Sequence, residues 1–194
     1  MHPQDFDPDL VDAARRGDEQ ALSMIARTSI PIVLGWAARL GGPTVDPEDA
    51  AHEVMLVLID RVHSIRDPHR FGAWLFQVTR KVLARQRRRA WFTRWLPGAS
   101  IERASNEPSP AELTLRSDLS RKVKLALEEM PSAQREVFVL CDIEEHTDLE
   151  AAELLEIPIG TVKSRLRLAR ERFREAARRL DIAPDLVEVA SQSQ

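Results

Sequence analysis

The stretch Pro158 to Leu180, PIGTVKSRLRLARERFREAARRL, constrains this chain more than any other. Advancing 100° per residue, Val162, Leu166, Ala169, Phe173, Ala176 and Leu180 fall on one narrow face, which predicts a single long amphipathic helix. Lys163, Arg167, Arg170, Arg174 and Arg178 form a second stripe, roughly 120° round from the first. Such a helix packs its apolar stripe on a core and turns its cations to water or to a polyanion. Pro158 suits the first helical position, where a missing N–H loses no intrahelical bond and φ is already helical.

The residues before this helix separate a solvated basic face from a binding face. Thr147-Asp148-Leu149-Glu150 is a capping box: the threonine hydroxyl accepts from the Glu150 N–H and the glutamate reaches back to the Thr147 N–H. It starts a short helix ending near Leu155, and a tight turn through Glu156 and Ile157 leads into the long one. Short helix, tight turn and longer basic helix is the order of a helix-turn-helix, whose second helix enters the DNA major groove N-terminus first. Thr161, Lys163, Ser164, Arg165, Arg167 and Arg170 are therefore the candidate duplex contacts. Arg174 and Arg178, farther along, are placed to touch phosphate or nothing.

Upstream, short helices are expected over Asp9–Arg16, closed by Gly17, and over Glu19–Arg27, with a separate buried helix Ile30–Leu40 stopped by Gly41-Gly42-Pro43. Asp46 reads as a cap, with Pro47 at the first helical position and carboxylates in the first turn, for a helix running to about Val62. Its residues Ala50, Val54, Val57, Leu58 and Val62 face a core, leaving Asp49, His52, Glu53 and Leu56 to one side. Asp67-Pro68 marks a turn within the loop His63–Arg70. From Phe71 another helix points Trp74, Leu75, Val78, Val82 and Leu83 inward and Gln77, Arg80, Lys81, Arg85, Arg88 and Arg89 outward. Trp91, Phe92 and Trp95 follow; aromatics beside cations offer stacking surfaces to unpaired bases. Further helices are expected from about Leu113 to Glu129 and from Ala133 to about Asp142.

The net charge of −3 hides a segregation. Acids dominate the first sixty residues, whereas no acid occurs between Asp67 and Glu102, a stretch holding Arg70, Arg80, Lys81, Arg85, Arg87, Arg88, Arg89 and Arg94. Two basic stretches in an acidic chain imply local polyanion contacts. The single cysteine, Cys141, excludes an internal disulfide and lies in an apolar run, where a buried inert thiol is expected. No apolar run reaches membrane-span length on this reading, and the acidic N-terminus does not resemble a signal peptide, so a cytoplasmic chain without membrane insertion is expected.

Catalytic constellations are incomplete. His52-Glu53 begins like a zincin motif but meets Leu56 where the second histidine belongs, and Asp49 with His52 is half of a helical carboxylate metal site. No enzyme, cofactor or metal is expected. The fold expected is all-α: two small helical domains, 1–95 and 113–182, joined by a flexible linker at 96–112 and followed by a tail at 183–194, the C-terminal domain being the helix-turn-helix.

Ile157-Pro158-Ile159-Gly160-Thr161-Val162-Lys163-Ser164-Arg165-Leu166, with Leu168-Ala169-Arg170 after it, resembles the region 4 recognition helix of bacterial RNA polymerase sigma factors, best in the extracytoplasmic-function (ECF) branch, which keeps only regions 2 and 4. Met130 to Val137 resembles the start of that region. Pro47 to Val54 looks like the region 2 helix that docks on polymerase, and Phe71 to Val78 with the following arginines looks like the part that meets the −10 element. The resemblance implies a −35 reader at Thr161, Lys163, Ser164, Arg165, Arg167 and Arg170. It implies a reader of melted −10 DNA at Trp74, Gln77, Arg80, Lys81, Arg85 and Arg88, and a polymerase contact at Asp49, His52, Glu53 and Leu56. The implied partners are core RNA polymerase, promoter DNA and an anti-sigma factor. The chain departs from the family where His52, Lys81 and Arg85 replace the usual Gln, Asn and frequent Asp. Lysine only donates, so Lys81 cannot reproduce the paired donor and acceptor of an amide.

Overall fold

The computed structural model describes residues 6–94 and 115–182, and it is helical with no strand among them. The chain divides into two compact units, Met1–Ile101 and Glu102–Gln194. Trp95, the expected linker at 96–112, the expected helix start near Leu113 and the tail at 183–194 lie outside the described residues.

The first unit contains α1 (Pro8–Arg15), α2 (Glu19–Leu40), α3 (Pro47–Arg61) and α4 (Phe71–Arg94). Aspartates set the starts. Asp7 accepts the Asp9 N–H, Asp18 those of Gln20 and Ala21, and Asp46 those of Glu48 and Asp49. Each cap satisfies orphan first-turn donors and stabilises its helix by about 1 kcal/mol. Gly17 and Gly42, at φ +96 and +79, turn the chain after α1 and α2 in a region closed to most side chains.

One expectation is corrected here. The segments Glu19–Arg27 and Ile30–Leu40 form one continuous helix, α2, with Pro31 inside it. Pro31 removes one backbone donor, but Ala21, Ile25, Ser29, Val33, Trp36, Ala37 and Leu40 make an unbroken buried stripe across it. Tertiary packing on α1, α3 and α4 therefore carries the helix through a residue that local propensity disfavours. The joined helix is long and apolar enough to cross a membrane, contrary to the expectation that no such run exists. Its apolar stripe is spent on the core of this unit.

α4 closes that core with Phe71, Leu75, Phe76, Thr79, Val82 and Leu83, while Trp74 is only half-buried. Phe76 meets Trp36 edge-on with ring centroids 5.1 Å apart. Because α4 packs on both α2 and α3, its buried face is wider than one stripe and takes in Phe76 and Thr79. The Thr79 hydroxyl donates to the Leu75 carbonyl at 2.9 Å, satisfying itself within the helix. Arg87 donates to the Leu40 carbonyl at 3.0 Å, so α4 supplies a partner for an orphan acceptor at the end of α2.

The second unit contains α5 (Leu115–Glu128), α6 (Ser132–Phe138), α7 (Asp148–Leu155) and α8 (Ile159–Arg179). α6 continues into a π-helical turn, Val139–Ile143, with the Glu144 N–H reaching back to the Val139 carbonyl at 2.9 Å. Phe138 and Phe173 face each other in the core with centroids 4.7 Å apart. The buried Arg135 donates to the carbonyls of Glu128 and Met130, which ties α6 to the end of α5. Cys141 is buried as expected, and burial pushes its thiol up to about 12, with Asp148 and Asp142 adding to the shift.

Candidate nucleic-acid interface

The capping box before α7 forms as its sequence requires. The Thr147 hydroxyl accepts the Glu150 N–H at 3.3 Å, and the Glu150 carboxylate accepts the Thr147 N–H at 2.8 Å. α7 ends at Glu156, which is left-handed at φ 56, and the Ile157 N–H returns to the Ala152 carbonyl at 3.1 Å. This turn aims the chain into α8. Pro158 stands one residue before the expected position. Its ψ of 142 is extended, so it occupies the cap, and its carbonyl accepts the N–H groups of Thr161 and Val162.

α8 buries Val162, Leu166, Ala169, Phe173, Ala176 and Ala177 on one side. Lys163, Ser164 and Arg167 stand exposed on the opposite side, while Thr161 and Arg165 are half-buried at its edges. The Ser164 hydroxyl donates to the Thr161 carbonyl at 3.0 Å, and Arg167 pairs with Glu171 at 2.7 Å. Arg170 is placed differently. Its guanidinium makes three contacts of 2.7 to 3.3 Å to Asp142, whose side chain is fully buried. The hydrogen bonds that Arg170 donates to the Asp142 carboxylate hold it still more firmly in its charged form. Arg170 thus ties α8 to the π turn, and its stripe position did not reveal this because the partner lies 28 residues upstream. Leu168 on the outer face and Ile159 at the first position of α8 are also exposed, and the basic stripe drew attention away from them. The signal was available for Leu168, which falls off the buried period, whereas Ile159 shares the angle of the buried Ala177 and is exposed because it opens the helix; exposed apolar groups here suit a thymine methyl.

In the first unit, Asp49, His52 and Leu56 are exposed along α3, and the exposed Ile59 extends their strip by three residues. Glu53 turns away from this strip. It forms an ion pair with Arg85 and accepts from Gln86 Nε2 at 3.0 Å, so α3 and α4 are joined by residues expected to serve two different partners. Along α4, Lys81 and Arg88 are exposed, and the half-buried Arg80 donates to Gln77 at 3.2 Å. Trp74 stacks on Phe71 with centroids 5.9 Å apart. Among the described residues, no three His, Cys, Asp or Glu side chains converge as metal ligands would.

The chain is therefore two helical units, one presenting a helix-turn-helix with an exposed basic face and the other a helix with outward cations. Residues 120–173 match the family Sigma-70, region 4, and residues 25–95 match the family Sigma-70 region 2. The chain is 29% identical to the ECF RNA polymerase sigma factor SigE of Mycolicibacterium smegmatis over 82% of this chain and 63% of that protein. It is 24% identical to the RNA polymerase sigma-H factor of Pseudomonas aeruginosa over 91% of this chain and 96% of that one. In fold it is similar to the sigma factor RpoE of Bartonella quintana, solved in complex with the anti-sigma factor NepR, with a TM-score of 0.63 and 24% identity over 80% of this chain and 96% of RpoE. With region 2 and region 4 matched in order on its two units, the chain belongs to the sigma-70 family of RNA polymerase sigma factors, in the extracytoplasmic-function branch.

Proposed function

We propose that this protein binds core RNA polymerase in the cytoplasm and directs transcription initiation at a restricted set of promoters. The observation that carries the reading is α8. Its N-terminal half exposes Lys163, Ser164 and Arg167 on the face opposite the one it buries, and it is preceded by a capped helix and a tight turn. That half reads the −35 duplex in the major groove, with Thr161 and Arg165 at the edges of the contact. Arg170 acts behind the interface by holding α8 to Asp142.

In the first unit, the exposed Lys81 and Arg88 meet the unpaired −10 strand, with Gln77, Arg80 and Trp74 contributing from half-buried positions. Arg85 contributes through its ion pair with Glu53, which fixes the helix carrying the polymerase contact against the helix carrying the −10 contact. Asp49, His52 and Leu56 form the polymerase-facing strip. The likeness to a sigma factor solved with NepR supports an anti-sigma partner that covers these surfaces when transcription is not required.

Asp49→Ala tests the division of labour. It is expected to weaken capture of core polymerase while leaving binding to −35 duplex unchanged. Loss of both activities together, or of neither, contradicts the assignment of separate surfaces.

A further inference from the structure

His146 is the one histidine among residues 102–194, and its side chain is 2% exposed. Two carboxylates flank it. Glu144 Oε2 stands 4.0 Å from Nε2, and Glu150 Oε2 stands 3.9 Å from Nδ1. Both spacings are long for a hydrogen bond and short enough for an ion pair. The chain turns at Glu145, left-handed at φ 58, and the His146 N–H reaches the Leu140 carbonyl at 2.9 Å. That bond and the Glu150 carboxylate set the ring between the π turn and the start of α7.

Glu150 is also half of the capping box. The same oxygen, Oε2, accepts the Thr147 N–H at 2.8 Å and the Thr147 hydroxyl at 2.9 Å. A charge on His146 therefore acts on the atom that starts α7, and α7 packs on α8. The other charged groups on the elements around the ring leave a negative surplus. Asp142 of the π turn and Arg170 of α8 neutralise one another at 2.7 Å, and Arg165 lies at the edge of the outer face of α8. Arg135 of α6 is turned to the carbonyls of Glu128 and Met130. Glu136 on α6, Glu145 in the loop and Asp148 on α7 are acids, and the buried Cys141 thiol keeps its proton up to about 12.

We infer that His146 is a proton-binding site that tightens the helix-turn-helix as pH falls, its imidazolium pairing with Glu144 and Glu150 and pinning the start of α7. Burial opposes the charge on the ring, and two carboxylates at ion-pair distance outweigh it, so the folded unit holds this proton more tightly than the unfolded chain. The stabilisation is complete below the ordinary histidine range near about 6.5 and is lost as pH rises through the folded range. His146 is a positioning residue, acting on α8 through Glu150 and α7.

The site is read without DNA, by hydrogen exchange of the α7 amides in the full chain, corrected for the intrinsic rate at each pH. Protection in the wild type is expected to be about fivefold higher at pH 6 than at pH 8. His146→Gln, which keeps a donor for the glutamates and cannot titrate, should be protected equally at both. Glu150→Gln keeps an acceptor for the Thr147 N–H and removes the charge; it should lose most of the response, and it carries the test if His146→Gln does not fold. The link to DNA rests on the proposed reading of α8. With core polymerase present, affinity for a duplex selected from a random pool by the wild type should rise about threefold from pH 8 to pH 6 beyond the rise in His146→Gln. Taking that difference cancels the titration of the other four histidines, none of which lies in residues 102–194. Equal exchange responses in wild type and His146→Gln, or greater wild-type protection at pH 8, overturn the site. A pH-dependent α7 whose duplex affinity does not follow overturns the coupling to α8. A wild type that selects no duplex at either pH overturns the reading of α8, and the exchange result then decides the site alone.

Discussion

Arg167 and Arg170 are indistinguishable as members of a basic stripe, yet the fold sets them in opposite surroundings. Arg167 is exposed and pairs with Glu171 one turn on, a surface pair worth well under about 1 kcal/mol. Arg170 meets a carboxylate that is fully removed from water. Removing one partner from such a pair leaves a buried charge uncompensated and typically costs about 3 to 5 kcal/mol. Asp142→Ala should therefore lower the unfolding free energy by about 3 kcal/mol in a urea titration. Arg167→Ala should leave stability nearly unchanged and weaken −35 duplex binding by roughly 1 to 3 kcal/mol. If Arg170→Ala weakens binding and leaves stability untouched, the roles are reversed. Spacing alone could place both arginines on one stripe, but nothing local marks Asp142 as a partner. Glu53 and Arg85 were hidden for the same reason.

Cys141 follows the simpler rule that an apolar run buries its thiol. Its folded value of about 12 lies above the ordinary thiol value of 9.0. Between those values the unfolded chain loses the proton and the folded chain keeps it, so this group stabilises the fold below pH 9 and loses that contribution as pH rises toward 12. Alkylation at neutral pH should proceed only on unfolding. Rapid labelling of the native protein would place the thiol at the surface.

At the scale of elements, the starts were legible and one interior was not. The caps at Asp46 and Thr147 are side chains acting on backbone two or three residues away, so sequence contains the whole interaction. The continuity of α2 depends on three neighbouring helices that outweigh Pro31, and no window around Pro31 contains them. The turn between α7 and α8 carries a testable strain. Glu156 is left-handed at φ 56, a region that costs a side chain about 1 to 2 kcal/mol and a glycine almost nothing. Glu156→Gly should raise stability by about 0.5 kcal/mol after the added unfolded-state entropy is subtracted, without changing duplex affinity. The β-branched Glu156→Val should lower the melting temperature. A lower melting temperature for the glycine variant would show that Glu156 supplies an interaction outweighing the strain.

Over the whole molecule, charge and order carry more information than net charge. A balance of −3 conceals an acid-free helix in one unit and a basic amphipathic helix in the other. Region 2 and region 4 were legible because each has its own local signature and the two occur in order along one chain. Binding to promoter DNA should accordingly fall steeply with salt, through phosphates neutralised by both units. As an initiation factor, the protein should need both surfaces at once. This is tested most directly by transcription in vitro, with purified core polymerase on a library of genomic promoter fragments, in the presence and absence of the full-length protein. Defined transcripts should arise from a small subset of fragments only when the protein is added, and should be lost when Arg167→Ala replaces it. Core polymerase that binds the protein yet initiates at none of the fragments would contradict the role of initiation factor.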